Sequence, residues 1–302
     1  MIRTRMHLTA AVILCALLAA PGVRASTPVE ERQAAAPDGR VQISNLAGSI
    51  VVDAWDEPEI EITGTLGEDV ERLDFVRDAD LTVIKVVYPS GKHNGEGSHL
   101  SIRVPGGSAL EISGVSASIE VSGVQGRQRL RTVSGDVRTE TVAEDVEAET
   151  VSGDVTVRGR DDTSHTTLTT VSGDIQADGV SGEIDAGTVS GGIEVQGRML
   201  SRARLNTTNG RISLDAGLAS GGRFDLSTTN GGVDLMLDTD GDLDVDAQTF
   251  NGRIDNCFGI DPAKSQFTPE RTLRFTQGEA DRSIRIRTMN GRIELCSRTH
   301  SG

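Results

Sequence analysis

Aromatic side chains are scarce in this chain: Trp55, Tyr88 and six Phe among 302 residues, with none between Tyr88 and Phe224. The middle of the chain therefore offers no aromatic platform on which sugars or bases could stack. Basic residues are also outnumbered, with 30 Lys and Arg against 45 Asp and Glu. Phosphate contacts need clustered cations, so nucleic acid is excluded as a partner, and adhesion to anionic lipid is disfavoured. Cysteines number three, Cys15, Cys257 and Cys296. His93, His99, His165 and His300 are scattered without metal-ligand spacing, so no metal site and no cofactor is expected. No nucleotide loop, Ser-His-Asp set or nucleophile elbow is present, which leaves no catalytic residue to name.

Long hydrophobic runs are missing beyond the first 25 residues, so no transmembrane segment is expected after them. Residues 1–25 themselves read as a signal peptide. Arg3 and Arg5 open it, Leu8 to Ala20 is apolar, Pro21-Gly22 breaks the run, and Val23-Arg24-Ala25 offers a cleavage site. A lipoprotein reading would use Cys15, but bulky Leu14 precedes it. The expected location is periplasmic or extracellular. Cleavage removes three Arg and no acid, leaving 27 basic against 45 acidic residues, a net charge of −18. Such an excess reads as solubilising surface charge.

The chain is rich in what makes tight β-structure: 35 Gly, and many Val, Ile and Thr. Between Thr132 and Ile293 one phrase recurs eight times: Thr, any residue, Ser or Asn, Gly, any residue, then Val or Ile. Its glycines are Gly135, Gly153, Gly173, Gly191, Gly210, Gly231, Gly252 and Gly291, spaced by 18, 20, 18, 19, 21, 21 and 39 residues. A period near twenty is the signature of a stacked architecture. The residue five before each glycine is apolar, from Leu130 to Ile286, and so is the Val or Ile two after it.

Alternation of period two runs into each glycine and out of it, with its parity shifted across it. In a strand that shift means a bend, which glycine permits by positive φ or by close backbone approach. Stacked about 4.8 Å apart, such rungs align like residues into ladders. Val and Ile would fill the core, while Thr and Ser/Asn would hydrogen-bond along the stack. The expected fold is all-β, a parallel β-solenoid of 18–21-residue rungs. The alternative is an antiparallel hairpin array, since Asn-Gly is also a hairpin signal. The expected organisation is a flexible lead-in at 26–40, an irregular β region at 41–112 and regular repeats at 113–297. Early rungs are SNLAGSIVV (44–52) and SGVSASIEV (113–121), the latter with Ser118 in place of the glycine.

The repeated phrase, the opening SNLAGSIVV and the linker RVPGGSALEIS (103–113) resemble the bacterial putative-adhesin family of β-strand-repeat proteins, a domain of unknown function. Resemblance covers roughly 41–296. It implies an all-β, solenoid-like fold at the cell envelope and an adhesive role, and it supplies no catalytic residue.

Asp136, Asp154 and Asp174 follow three of the glycines directly. Stacked, they form a column of like charges that is either solvated or bridged by a cation such as calcium. The nonapeptide calcium-roll pattern is absent, and Gly192, Arg211, Gly232, Arg253 and Arg292 occupy the later rungs, so a solvated column is expected. The same column could mimic the carboxylates of polysaccharide-cleaving β-helices, but the missing aromatics oppose that. The sequence thus points to a secreted, non-catalytic binding, adhesion or scaffolding module. Its partner would be an envelope protein or a surface glycan. A structural or stress-response envelope protein is the alternative, with a polysaccharide-active enzyme behind it.

Cys257 and Cys296 each lie five residues after a repeat glycine. If the 39-residue gap is one rung carrying an insertion, they are about 4.8 Å apart and can bond. If it is two ordinary rungs, they are about 9.6 Å apart and cannot. Gly259 to Gly278, with Pro262, Pro269 and no repeat phrase, reads as the insertion, so a Cys257–Cys296 disulfide is expected.

Overall fold

The computed structural model describes residues 26–89, 96–142, 144–160, 164–238 and 241–298. Residues 1–25, the expected signal peptide, lie outside them, as do His93 and His300. Among the described residues there is no α-helix, and every strand belongs to one sheet that wraps around a single apolar core.

Repeat phrases stack like on like. Ile175–Ser190 and Ile193–Asn209 pair in parallel, with Ile175 on Ile193 and Thr188 on Thr207. The next strand continues the pattern, setting Ile193 on Ile212 and Asn209 on Asn230. Each long strand bends at its middle, so its two halves present their inward residues to one core from opposite sides. The Val or Ile two after the glycine fills one side, as Val137, Val155 and Ile175 do; the residue five before fills the other, as Leu130, Ala148 and Leu168 do. All six are at most 1% exposed. Each buried Val, Leu or Ile contributes about 1.5–3 kcal/mol, and almost all of that contact is made with neighbouring rungs.

The stacking does not follow chain order, and this corrects the uniform parallel solenoid expected from the repeat. Arg40–Trp55 lies between Leu81–Val87 and Ser98–Pro105 on one side and Ala109–Ser122 on the other. At the far end, Arg282–Asn290 inserts between Ile212–Asn230 and Leu243–Asn251, pairing Thr288 with both Thr228 and Thr249. Antiparallel strands then close both ends. Thr27–Ala34 pairs with Glu59–Leu66, Arg72–Asp78 with Leu81–Val87, and Arg271–Gln277 with Leu243–Asn251. The physical reason is that the repeat specifies which residues may stack, not which copy comes next. The stretches 56–80 and 257–281, which lack the repeat phrase, reverse the direction of stacking by one rung: after 56–80 the chain lies on the outer side of Arg40–Trp55, and after 257–281 it lies between two earlier rungs. The antiparallel hairpin array is corrected too, because the repeat phrases pair in parallel and antiparallel pairs occur only toward the ends.

Two further expectations change. The segment 26–40, expected as a flexible lead-in, carries the strand Thr27–Ala34. Arg32 anchors it through a 2.9 Å ion pair to Glu61, which is 4% exposed and also meets Arg103. The Arg103 guanidinium in turn lies 4.8 Å over the Trp55 ring. In the early rung SGVSASIEV the glycine position belongs to Ala117, not Ser118: Ile119 pairs with Val137, which sets Ala117 beside Gly135. Pairing of Gly48 with Ala117 agrees.

Close approach, rather than positive φ, is what the phrase glycines supply, since none of the eight has a positive φ. A Cβ added to Gly173 would lie 2.0 Å from the Gly153 carbonyl oxygen, and one on Gly231 would lie 1.7 Å from that of Gly210. That same carbonyl receives the phrase threonine of the next rung. Thr170 Oγ1 donates to Gly153 O at 3.0 Å, Thr188 to Gly173 O at 3.2 Å and Thr207 to Gly191 O at 3.0 Å. Where the chain skips, the contact follows space and not sequence: Thr288 donates to Gly231 and Thr249 to Gly291, both at 2.9 Å. These threonines are at most 7% exposed.

The last rung is closed covalently. Ile254–Asn256 pairs in parallel with Ile293–Ser297, and Cys257 and Cys296 are disulfide-bonded with Cα atoms 4.9 Å apart.

Two predictions follow from these contacts. Gly173→Ala should lower stability by about 3 kcal/mol, because the added methyl must displace backbone. Thr170→Val should cost about 1–2 kcal/mol and Thr170→Ser much less; denaturant titration of the three variants checks the order. Cys257→Ser should cost about 3–4 kcal/mol through loop entropy, and mass spectrometry of the non-reduced protein should find no alkylatable thiol at either position.

Candidate functional site

The bend that the glycine forces places four consecutive residues at one edge of the sheet. Thr is turned inward, so the next residue must turn outward. Val115, Val133, Val151, Val171 and Val189 consequently form a column in which each side chain is 43–46% exposed. Their stacking is fixed by backbone bonds: Ser134 N donates to Val115 O at 2.7 Å, Ser152 N to Val133 O at 2.8 Å and Ser172 N to Val151 O at 2.9 Å. Exposed Thr208 and Thr229 extend the column, and Met289 and Phe250, 55% and 43% exposed, complete it in that spatial order.

Beside it run the Ser and Asn residues. In the C-terminal rungs the amides chain together: Asn230 Nδ2 donates to Asn209 at 2.9 Å, Asn290 to Asn230 at 2.8 Å and Asn251 to Asn290 at 3.0 Å. Beyond the glycine comes the charged column, acidic at one end with Asp136, Asp154 and Asp174, basic at the other with Arg211, Arg292 and Arg253. Gly192 lies at its centre.

The acidic column has a local partner that the sequence did not reveal. Asp136 Oδ1 accepts the Asp154 backbone N–H at 3.1 Å, Asp154 accepts that of Asp174 at 2.9 Å, and Asp174 accepts that of Gly192 at 2.7 Å. Each carboxylate thereby caps the amide one rung on. The N–H of Asp154 holds the Asp136 carboxyl below its ordinary value; partial burial opposes this and Arg138, 2.9 Å away, assists it. On the flanking strand, Arg129 and then Arg131 hold Glu147 low against partial burial. The arginines are paired outward: Arg211 with Asp234 at 2.8 Å, Arg253 with Asp255 at 3.2 Å, and Arg292 with Asp255 at 2.6 Å.

The insertion holds a second feature, an open depression of about 490 Å³ lined by Gln248, Asp261, Lys264, Glu270, Thr272 and Arg274 among others. Asp261, Lys264 and Arg274 are exposed, Glu270 is half-buried, and Arg274 is tied to Asp246 at 3.1 Å. His99 bonds Ser49 at 2.9 Å, and His165 lies 3.6 Å from Glu183. Among the described residues no three His, Cys, Asp or Glu side chains converge as a metal would need, and no helix is long and apolar enough to cross a membrane.

A barrel-like all-β sheet, with buried Thr and Val/Ile ladders and exposed ladders at the bend, thus defines the class. The chain belongs to the Toastrack DUF4097 family, whose model matches residues 90–296, and the sequence resemblance is borne out. No curated protein matches the chain. Among solved structures, it is similar to a putative cell adhesion protein from Clostridium sporogenes ATCC 15579, at 10% identity and a TM-score of 0.28, over 90% of this chain and 100% of that one. It is also similar to a putative adhesin from Bacteroides fragilis NCTC 9343, at 10% identity and a TM-score of 0.42, over 91% and 98%. A putative adhesin from Parabacteroides distasonis ATCC 8503 gives 10% identity and a TM-score of 0.33, over 90% and 98%.

Of the residues singled out by sequence, the glycines and the Asp column meet at this edge, while His99 and His165 do not. The valine column was missed. Its signal was present in the four TVSG copies, where an apolar residue stands between two residues of opposite facing.

Because Asp136 and Glu147 sit lower in the folded chain than in the unfolded one, each contributes stability that is full above its ordinary value. That stability is lost as pH falls through the lowered value. Melting temperature should therefore drop below about pH 4. Asp136→Asn combined with Glu147→Gln should flatten this acid limb by lowering the melting temperature at neutral pH while leaving it nearly unchanged at low pH.

Proposed function

We propose that this chain is a secreted, non-catalytic binding module of the bacterial envelope, acting in adhesion or scaffolding through its bent edge. The observation that carries the reading is the unbroken ladder of five exposed valines, Val115 to Val189, with exposed Met289 and Phe250 beyond two threonines in the same column. A monomeric soluble surface rarely keeps so continuous an apolar row, and such rows mark contact surfaces. The signal-like residues 1–25 and the family resemblance support an envelope location, periplasmic or exterior. The bound partner would be an envelope protein or a surface glycan.

Export is tested by N-terminal sequencing of the native protein, which should begin at Ser26. Binding is tested by immobilising the mature chain and measuring retention of envelope material. Val133→Glu with Val171→Glu, which are not on adjacent rungs, should abolish retention with little change in melting temperature; unchanged retention would contradict the reading. The enzymatic alternative rests on the open depression in the insertion. Incubation with uronic-acid or neutral polysaccharides should release no new reducing ends. Turnover abolished by Glu270→Gln would move the function to that depression instead.

A further inference from the structure

We infer that the bent edge is the contact surface of an antiparallel, two-fold dimer of this chain. The inference rests on reading that edge as an interaction surface and names its partner as a second copy.

Three properties of the edge select this partner. The first is its period. Each phrase presents one outward side chain per rung, about 4.8 Å from the next. A surface that meets such a row without mismatch has the same spacing, and another copy of the row has it by construction. Phe250 and Met289 stand at one end of the row and small Val115 and Val133 at the other, so reversing one copy sets large against small.

Polarity is the second property, and it fixes the orientation. The charged column runs from Asp136, Asp154 and Asp174 through Gly192 to Arg211, Arg292 and Arg253. A two-fold axis parallel to the stack sets equal rungs of the two copies against one another, bringing the three acids of each into the same neighbourhood. An axis lying in the contact plane and perpendicular to the stack reverses the rungs and keeps each column facing itself. With Gly232 between Arg211 and Arg292 and the axis passing near Gly192 and Val189, Asp136 then faces Arg292 and Asp174 faces Arg211, while Asp154 faces Gly232 and no acid faces another acid. Gly192 lies at a shallow hollow that Asp174, Glu194 and Arg211 help to line. The arginines already pair with Asp234, Asp255 and Glu294. Those pairs are exposed and individually weak, so the guanidinium groups can share a second carboxylate across the contact.

Area is the third property. Nine rungs from Val115 to Phe250 span about 38 Å along the stack. Four residues across the bend add about 14 Å of width. The contact then covers about 500 Å² on each copy, at the low end for specific association. A reversible dimer, populated at micromolar concentrations and above, is what such an area supports.

The test uses the mature, disulfide-bonded chain. Sedimentation equilibrium from about 1 to about 200 μM should show a monomer shifting to a dimer, and Val133→Glu with Val171→Glu, on non-adjacent rungs, should hold the chain monomeric with little change in melting temperature. Orientation is read by cysteine cross-linking with a short bismaleimide. Val189→Cys should cross-link to itself, and Val133→Cys should cross-link to Met289→Cys in a mixture but not to itself. Self-linking of Val133→Cys would overturn the antiparallel arrangement. A wild type that stays monomeric throughout, or a dimer indifferent to the two glutamates, would overturn the inference. If the wild type is monomeric while the glutamate variants still lose envelope material, the interaction surface stands and only the second copy falls.

Discussion

A threonine hydroxyl donating to a glycine carbonyl one rung away is the contact on which the rest of this fold depends. In every phrase but the first, where Thr132 donates to Ala117 O at 2.9 Å, it joins these two residue types. The backbones at the bend lie so close that a Cβ on Gly210 would sit 1.8 Å from the Gly191 carbonyl oxygen. Only glycine fits, and fitting it exposes that carbonyl to the interior. A buried carbonyl without a partner is costly, and so is a buried hydroxyl; Thr207 satisfies both at once. Valine has nearly the same shape but cannot do this, which is why a β-branched polar residue recurs where a β-branched apolar one would seem to suit a buried site.

The outward features follow from that inward one. With Thr committed to the interior, the next residue must face solvent, and the stack repeats it into a row. The Ser or Asn beside it and the charged residue beyond the glycine are carried along in the same way. Like charges stacked in a row would repel, and the structure relieves this by giving each Asp the next rung's amide proton. The edge is thus rigid and periodic without any enclosed cavity, a geometry suited to contact along a line rather than to holding a small substrate.

The sequence displayed the local rules of this architecture and concealed its order. The columns of Gly, Thr and Val/Ile are legible because each is one residue type at one phrase position, dictated by one contact. The passage of 282–297 between 212–237 and 243–256 is not legible, because TTNGGV, TFNGRI and TMNGRI are interchangeable as stacking partners. Only the long spacing before Gly291 hints at it. The strand Thr27–Ala34 was hidden for a different reason: it is held by an antiparallel ladder with Glu59–Leu66, to which Arg32 adds its ion pair with the buried Glu61, and neither segment carries the repeat that would announce the pairing. The exposed valines were overlooked because an apolar residue in a strand is ordinarily read as core.

If neighbouring rungs are coupled through the glycine contact, strain placed in one bend must spread to both adjoining rungs and not stay local. Hydrogen exchange of Gly210→Ala, followed by mass spectrometry, measures this directly. The account predicts faster exchange across 188–199 and 223–237 as well as around residue 210, with the rungs near Gly135 unchanged. Faster exchange confined to 207–212 would contradict it, showing that each bend is an independent turn and that the stack is held by its apolar core alone.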